Sequence, residues 1–210
     1  MATSGKFRSE QESPGRPSGG VRVRRVGGIR VKAVVATVAL LIGIAQSDRA
    51  IAQAQPSSLE FRGGVLAHDV PDLWAGFNLE GGVDINAELL FGRGLAVFGG
   101  TLRPALGVSV NTEGFTSRAY LDARWEIESV LGIFFGIGLG AAVHDGVLDP
   151  SEPDRKALGS RVLFHIPIEL GFRLDARNSI SVYFEHTSNG NLATYNEGLD
   201  AIGVRYGYKF

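Results

Sequence analysis

The sequence predicts an all-β fold, an eight-stranded antiparallel transmembrane β-barrel of outer-membrane type, formed after a signal peptide is cleaved. Three observations predict it. Eight segments beyond residue 57 alternate apolar with polar or small side chains. Those segments run to about ten to fourteen residues, where globular strands average five or six and tilted membrane strands need about 9–11. The polar faces carry acidic and basic residues in equal number, as expected if they pair inside a narrow lumen.

The amino-terminal part reads differently from the rest. Met1 to Gly28 is polar and rich in Gly, Ser and Pro, with a basic cluster at Arg22, Arg24, Arg25, Arg30 and Lys32. An apolar run from Ala33 to Ala45 comes next, then Ala50-Ile51-Ala52-Gln53-Ala54, with small residues placed for cleavage after Ala52 or Ala54. Basic flank, short apolar core and small-residue exit are the parts of a secretory signal peptide. The run is shorter than the roughly 20 residues that span hydrocarbon, which favours cleavage over an amino-terminal anchor. Residues 1–54 are therefore expected to be a polar lead plus signal peptide, and 55–210 the barrel. The lead is long for such a peptide and is compatible with a start codon further downstream.

The eight strands are expected near 58–68, 79–90, 101–111, 115–128, 131–144, 160–173, 179–188 and 199–210. The first carries Glu60 and Arg62 on its polar face. The second sets Leu79, Val83, Ile85, Ala87 and Leu89 against Glu80, Asp84, Asn86 and Glu88. The third contributes Arg103. The fourth opposes Ala119, Leu121, Ala123, Trp125 and Ile127 to Arg118, Tyr120, Asp122, Arg124 and Glu126. In the fifth, apolar residues from Leu131 to Val143 alternate with Gly132, Phe134, Gly136, Gly138, Gly140 and His144. The sixth sets Val162, Phe164, Ile166, Ile168, Leu170 and Phe172 against Arg161, His165, Glu169 and Arg173. The seventh turns Ile180, Val182 and Phe184 one way; the eighth alternates strictly from Ile202 to Phe210. Successive strand side chains point to opposite faces, so each segment has one greasy and one polar or small face.

Alternation alone also suits a soluble sandwich or lipocalin-like binder, which would bury the apolar face. Strand length, lumenal charge balance and the terminal aromatic strand favour a membrane. There every backbone polar group must be satisfied internally, so the sheet must close. Eight strands leave room only for side chains, not for a pore. The ending at Phe210 resembles the carboxy-terminal signal read by the outer-membrane assembly machinery. With both termini periplasmic, the long connection at 145–159 faces outward and the short Asp175–Asn178 turn inward. The first inward turn, 91–100, is longer and greasier than that pattern expects.

Composition narrows the chemistry. A net charge of -1 and a pI near 6.4 argue against nucleic acid as the main partner. Cysteine is absent from the chain, which excludes thiol catalysis, thiolate metal sites and disulfides. His68, His144 and His165 have no ligand-spaced partners, so no metal is expected, and nothing calls for a cofactor. Arg155 and Lys156 in an outer connection read as solvated loop charge.

Reactive residue types concentrate at the last two strands: Glu185-His186-Thr187-Ser188-Asn189-Gly190-Asn191, then Asn196-Glu197-Gly198-Leu199-Asp200. Parity continues the outward face of Ile180, Val182 and Phe184 to His186 and Ser188, and that of Ile202 and Val204 to Asp200. A titratable group on the lipid face is costly, least so near the interface, so three together ask for a reason. Hairpin pairing of His186 with Asp200 brings their Cβ atoms to about 4.5–5.5 Å. Ser188 follows about 6.6–6.8 Å further along the same face. Serine nucleophile, histidine base and carboxylate orienter make an acyl-transfer constellation, recognised by geometry and not by chain order. Asn189 and the backbone N–H groups of Gly190 and Asn191 are candidates to stabilise an oxyanion. The alternative is an ordinary decorated loop on a non-enzymatic barrel that anchors the membrane or binds surface ligands.

At these residues the chain resembles the outer-membrane lipid A 3-O-deacylases of PagL type. The resemblance lies in H-x-S-N at His186, Ser188 and Asn189, Asn-x-Gly at Asn196 and Gly198, and the acidic residue Asp200 opening the last strand. It covers the mature chain in architecture, but specific motifs only in about the last 25 residues. It implies an eight-stranded barrel in the bacterial outer membrane that, without metal, hydrolyses the 3-O-linked acyl chain of lipid A. His186, Ser188 and Asp200 would then be catalytic, with Asn189, Gly190 and Asn196 supporting the oxyanion and its loop. Lipopolysaccharide in the outer leaflet would be the substrate partner, and a homodimer is compatible with the architecture. Two departures stand out: the family's usual acid is Glu, and Gly190-Asn191 replaces the usual small residue and Gly after H-x-S-N.

Overall fold

A computed structural model describes residues 59–92 and 94–210. The leader expected at 1–54 lies outside them. Among the described residues nine strands form: β1 (Leu59–Ala67), β2 (Val83–Phe91), β3 (Leu95–Val97), β4 (Gly100–Asn111), β5 (Arg118–Glu128), β6 (Ile133–His144), β7 (Val162–Arg173), β8 (Asn178–Ser188) and β9 (Leu199–Lys209). All but β3 form the barrel: each pairs antiparallel with the next, β2 with β4 across the β3 excursion, and β1 pairs with β9, so the sheet closes. β3 is a short extension. It folds back on the start of β4, Leu95 opposite Leu102, and accounts for the long, greasy turn after β2.

Several strands begin later than the sequence reading has them: β5 at Arg118 rather than 115, β6 at Ile133 rather than 131, and β2 and β7 likewise. β2 starts at Val83, so Leu79 and Glu80 belong to the preceding connection. Arg161, expected in the lumen, sits exposed before β7 and donates to the Gly146 carbonyl at 2.6 Å. Within β7, Pro167 faces inward without an N–H to give. The β6–β7 ladder skips from Ile137↔Ile168 to Gly140↔His165 around it.

Period-two patterning puts charge inside and grease outside. Val65, Ile85, Leu106, Leu121, Leu139, Val182 and Val204 are exposed on the outer wall. Phe61, Phe172, Tyr206 and Phe210 ring the end holding the termini; Trp74, Phe164 and Tyr195 ring the other. Two aromatic girdles around an apolar band are the surface of a membrane barrel. Arginine–carboxylate pairs fill the lumen. Glu169 meets Arg62 at 2.6 Å, Arg205 at 2.5 Å and Arg124 at 2.8 Å, while Glu60 meets Arg62, Arg103 and Arg173. Buried charges are tolerable only when so paired.

The connections at the end away from the termini are the longer ones: L1 (68–82), L2 (112–117), L3 (145–161) and L4 (189–198). They converge. His68 bridges Asp84 and Glu80 at 2.8 and 3.0 Å, and Glu80 also accepts from the Thr116 hydroxyl and from the Thr116 and Lys156 N–H groups. Lys156 is not solvated loop charge, since its ammonium is fully buried. It donates to the Phe77 carbonyl, lies 3.6 Å over the Phe77 ring and 3.5 Å from Asp69.

Candidate active site

β8 and β9 place the candidate residues by register. His186 stands directly opposite Asp200 across the hairpin, and Phe184 opposite Ile202 below them. His186 shares its strand face with Ile180 and Val182, which are exposed on the outer wall. His186 itself is buried, and Asp200 is fully so.

A continuous hydrogen-bond chain links the three side chains. His186 Nδ1 donates to Asp200 Oδ1 at 2.6 Å, and His186 Nε2 accepts from the Ser188 hydroxyl at 2.9 Å. The carboxylate partner sets this tautomer: a proton held at Nδ1 leaves Nε2 free to accept. The shorter Asp side chain reaches because the two residues face each other on adjacent strands.

L4 is held by its asparagines. The Asn189 side-chain amide donates to the Leu158 carbonyl of L3 at 2.8 Å and to the Tyr195 carbonyl at 2.5 Å. Its backbone N–H donates to Asn196 Oδ1 at 2.8 Å, and its Oδ1 accepts from Leu192 N–H. Asn189 and Asn196 thus clamp the loop, with the Asn189 donors already committed. Gly190 and Asn191 follow with left-handed φ of 64° each. Glu197 extends the clamp by accepting from Ala157 N–H at 2.6 Å.

Two L1 groups complete the site, and strand parity could not reveal them. Ala75 N–H donates to Asp200 Oδ2 at 2.6 Å, and the Trp74 ring stacks on His186 with centroids 4.8 Å apart. The one signal in the sequence was a tryptophan set in a connection, in a chain with only two. Gly198, at φ +67°, lets β9 open close against the imidazole, since a Cβ there would lie 3.2 Å from His186 Cε1.

Fold and site together define a class: a closed eight-stranded membrane barrel with a Ser–His–Asp chain on its outer wall, at the rim away from the termini. The family model for lipid A 3-O-deacylase (PagL) matches residues 99–209, and the chain belongs to that family. Among solved structures, the crystal structure of the outer membrane enzyme PagL aligns with a TM-score of 0.58 at 18% identity, covering 72% of this chain and 99% of that one. Neisserial surface protein A aligns at 0.48 and 9% identity, covering 73% and 98%. A de novo designed transmembrane β-barrel aligns at 0.47 and 11%, covering 76% and 100%. No curated protein sequence matches the chain. The protein is an integral barrel of the bacterial outer membrane.

Proposed function

We propose that this chain is an esterase that removes the 3-O-linked acyl chain of lipid A, with Ser188 as nucleophile, His186 as general base and Asp200 as its orienter. The observation that supports it most is the unbroken Asp200–His186–Ser188 hydrogen-bond chain on the outer wall at the rim away from the termini, a rim this proposal sets on the outer side of the membrane. Lipid A occupies the outer leaflet, so a site on the barrel exterior receives the ester laterally, without the substrate leaving the membrane. Family membership supports the same substrate.

His186 Nε2 takes the Ser188 proton as Oγ attacks the ester carbonyl. The oxyanion is stabilised by the backbone N–H groups of Gly190 and Asn191, since the Asn189 donors hold the loop. His186 passes the proton to the departing sugar 3-oxygen, which leaves an acyl-serine. Water then adds with His186 again as base and frees the 3-hydroxy fatty acid. Asp200 keeps the imidazole in the working tautomer throughout.

Mass spectrometry of lipid A from cells making the wild type or Ser188→Ala tests the assignment. Loss of one 3-hydroxyacyl chain with wild type only is the expected result. Unchanged lipid A in both would instead mark a non-enzymatic barrel. In purified form, Ser188→Ala and His186→Ala should each lower kcat by about 10³-fold or more.

A further inference from the structure

The β8–β9 hairpin alone does not fix its own acid–base pair. Asp200 divides its carboxylate between two partners: Oδ1 takes the His186 proton at 2.6 Å, and Oδ2 takes Ala75 N–H at 2.6 Å. Across the imidazole lies the Trp74 indole, 27° from parallel, and that indole also lies 6.5 Å from Phe184 on the same strand face. Val182 and Ile180, four and six places below His186 on β8, are open on the barrel wall, whereas His186 and Asp200 are covered. L1 supplies that cover. It is anchored there independently, because Val70 N–H donates to the Asp200 carbonyl at 2.9 Å and Asp72 N–H to the Gly76 carbonyl at 3.0 Å, which closes the 72–76 turn.

A carboxylate gripped by one hydrogen bond can rotate about its last torsion; gripped by two, on opposite oxygens, it cannot. An imidazole with one open face can tilt away from the serine, whereas one packed under an indole is held in plane. We propose that L1 is a working part of the hydrolytic centre, with the Ala75 N–H and the Trp74 ring as positioning groups that act through Asp200 and His186. The inference rests on the reading of His186, Ser188 and Asp200 as that centre. Trp74 is itself 57% exposed, so its other face is left open at the girdle, where Leu73 and Phe77 of the same loop are also exposed.

Kinetics on lipopolysaccharide in mixed detergent micelles test it, with folding read from gel mobility of unheated samples. Trp74→Ala should lower kcat by about 10- to 100-fold with KM little changed, because a displaced catalytic group costs turnover more than binding. Trp74→Phe, which keeps a ring on the imidazole, should recover most of it. Ala75→Pro removes the donor and should lower kcat in the wild-type background but add nothing once Asp200→Ala is present. The Trp74 series stands by itself should Ala75→Pro not assemble. A spectroscopic signature checks the stack without activity. With Trp125→Phe, Trp74 is the sole tryptophan. Its emission should change when His186→Leu removes the ring stacked on it. Full kcat in both Trp74→Ala and Ala75→Pro, or Trp74 emission unchanged by His186→Leu, overturns the role of L1. If Ser188→Ala is as active as wild type, the hydrolase reading itself fails, whatever L1 does.

Discussion

Asp200 and Gly159 show how single residues decide this site. The family's usual acid is Glu, and the aspartate here is one methylene shorter, yet direct cross-strand pairing with His186 brings its oxygen to 2.6 Å. An amide in its place would keep the shape but disturb the imidazole tautomer, so Asp200→Asn should lower kcat by about 10³- to 10⁴-fold while the barrel still assembles. Gly159 faces a different demand. Its φ is +73°, and a Cβ would lie 1.9 Å from the Tyr195 carbonyl and 2.6 Å from Asn189 Nδ2. Gly159→Ala must therefore push L3 off L4. We expect about 1–3 kcal/mol of local destabilisation, seen as faster protease cleavage of L4 and reduced turnover. None of this was legible in the Gly159 codon's neighbourhood, because Tyr195 and Asn189 meet it only across loops.

At the scale of elements, L1 to L3 are tied by a cluster whose strength depends on pH. Burial opposes protonation of His68, and Arg118 does too, but the bonds to Asp84 and Glu80 outweigh them and raise it above its ordinary 6.5. Burial alone would raise Glu80; bonds from His68, Lys156 N–H and Thr116 bring it down to about 2 from 4.5. A raised histidine stabilises the fold fully below 6.5 and loses that contribution as pH rises through its folded value. A depressed carboxylate stabilises fully above 4.5 and loses it as pH falls towards 2. The tied loops should thus resist proteolysis best between about pH 4.5 and 6.5, and loosen on either side. His68→Gln should flatten the alkaline limb; an unchanged limb would reject this account. Alternation had placed Glu80 on the polar side of a strand, but could not say that a histidine, a lysine and a threonine from three connections meet around it.

For the molecule as a whole, stability depends on a lumen built of ion pairs. Glu169 answers three arginines, so Glu169→Ala leaves Arg62, Arg124 and Arg205 short of a counter-charge. A loss of about 3–5 kcal/mol is expected, read as a lower temperature for the heat-induced gel-mobility shift of the barrel. We further propose that secretion removes the leader, so that amino-terminal sequencing of the protein from outer membranes finds Gln53 or Gln55 first. A start within 1–50 would refute that cleavage.

Strand number, strand parity, the charged interior and the shared outward face of His186, Ser188 and Asp200 could all be read from the chain. They follow from a period of two that each strand obeys locally, and lipid outside with charge inside leaves one way to orient it. Only the tertiary structure decided the small β3 hairpin, the burial of Lys156, the use of Asn189 as a clamp, and the arrival of Trp74 and Ala75 over the histidine. Those depend on where the loops come to rest, which is settled by contacts between residues far apart in the chain that no repeat in the sequence encodes.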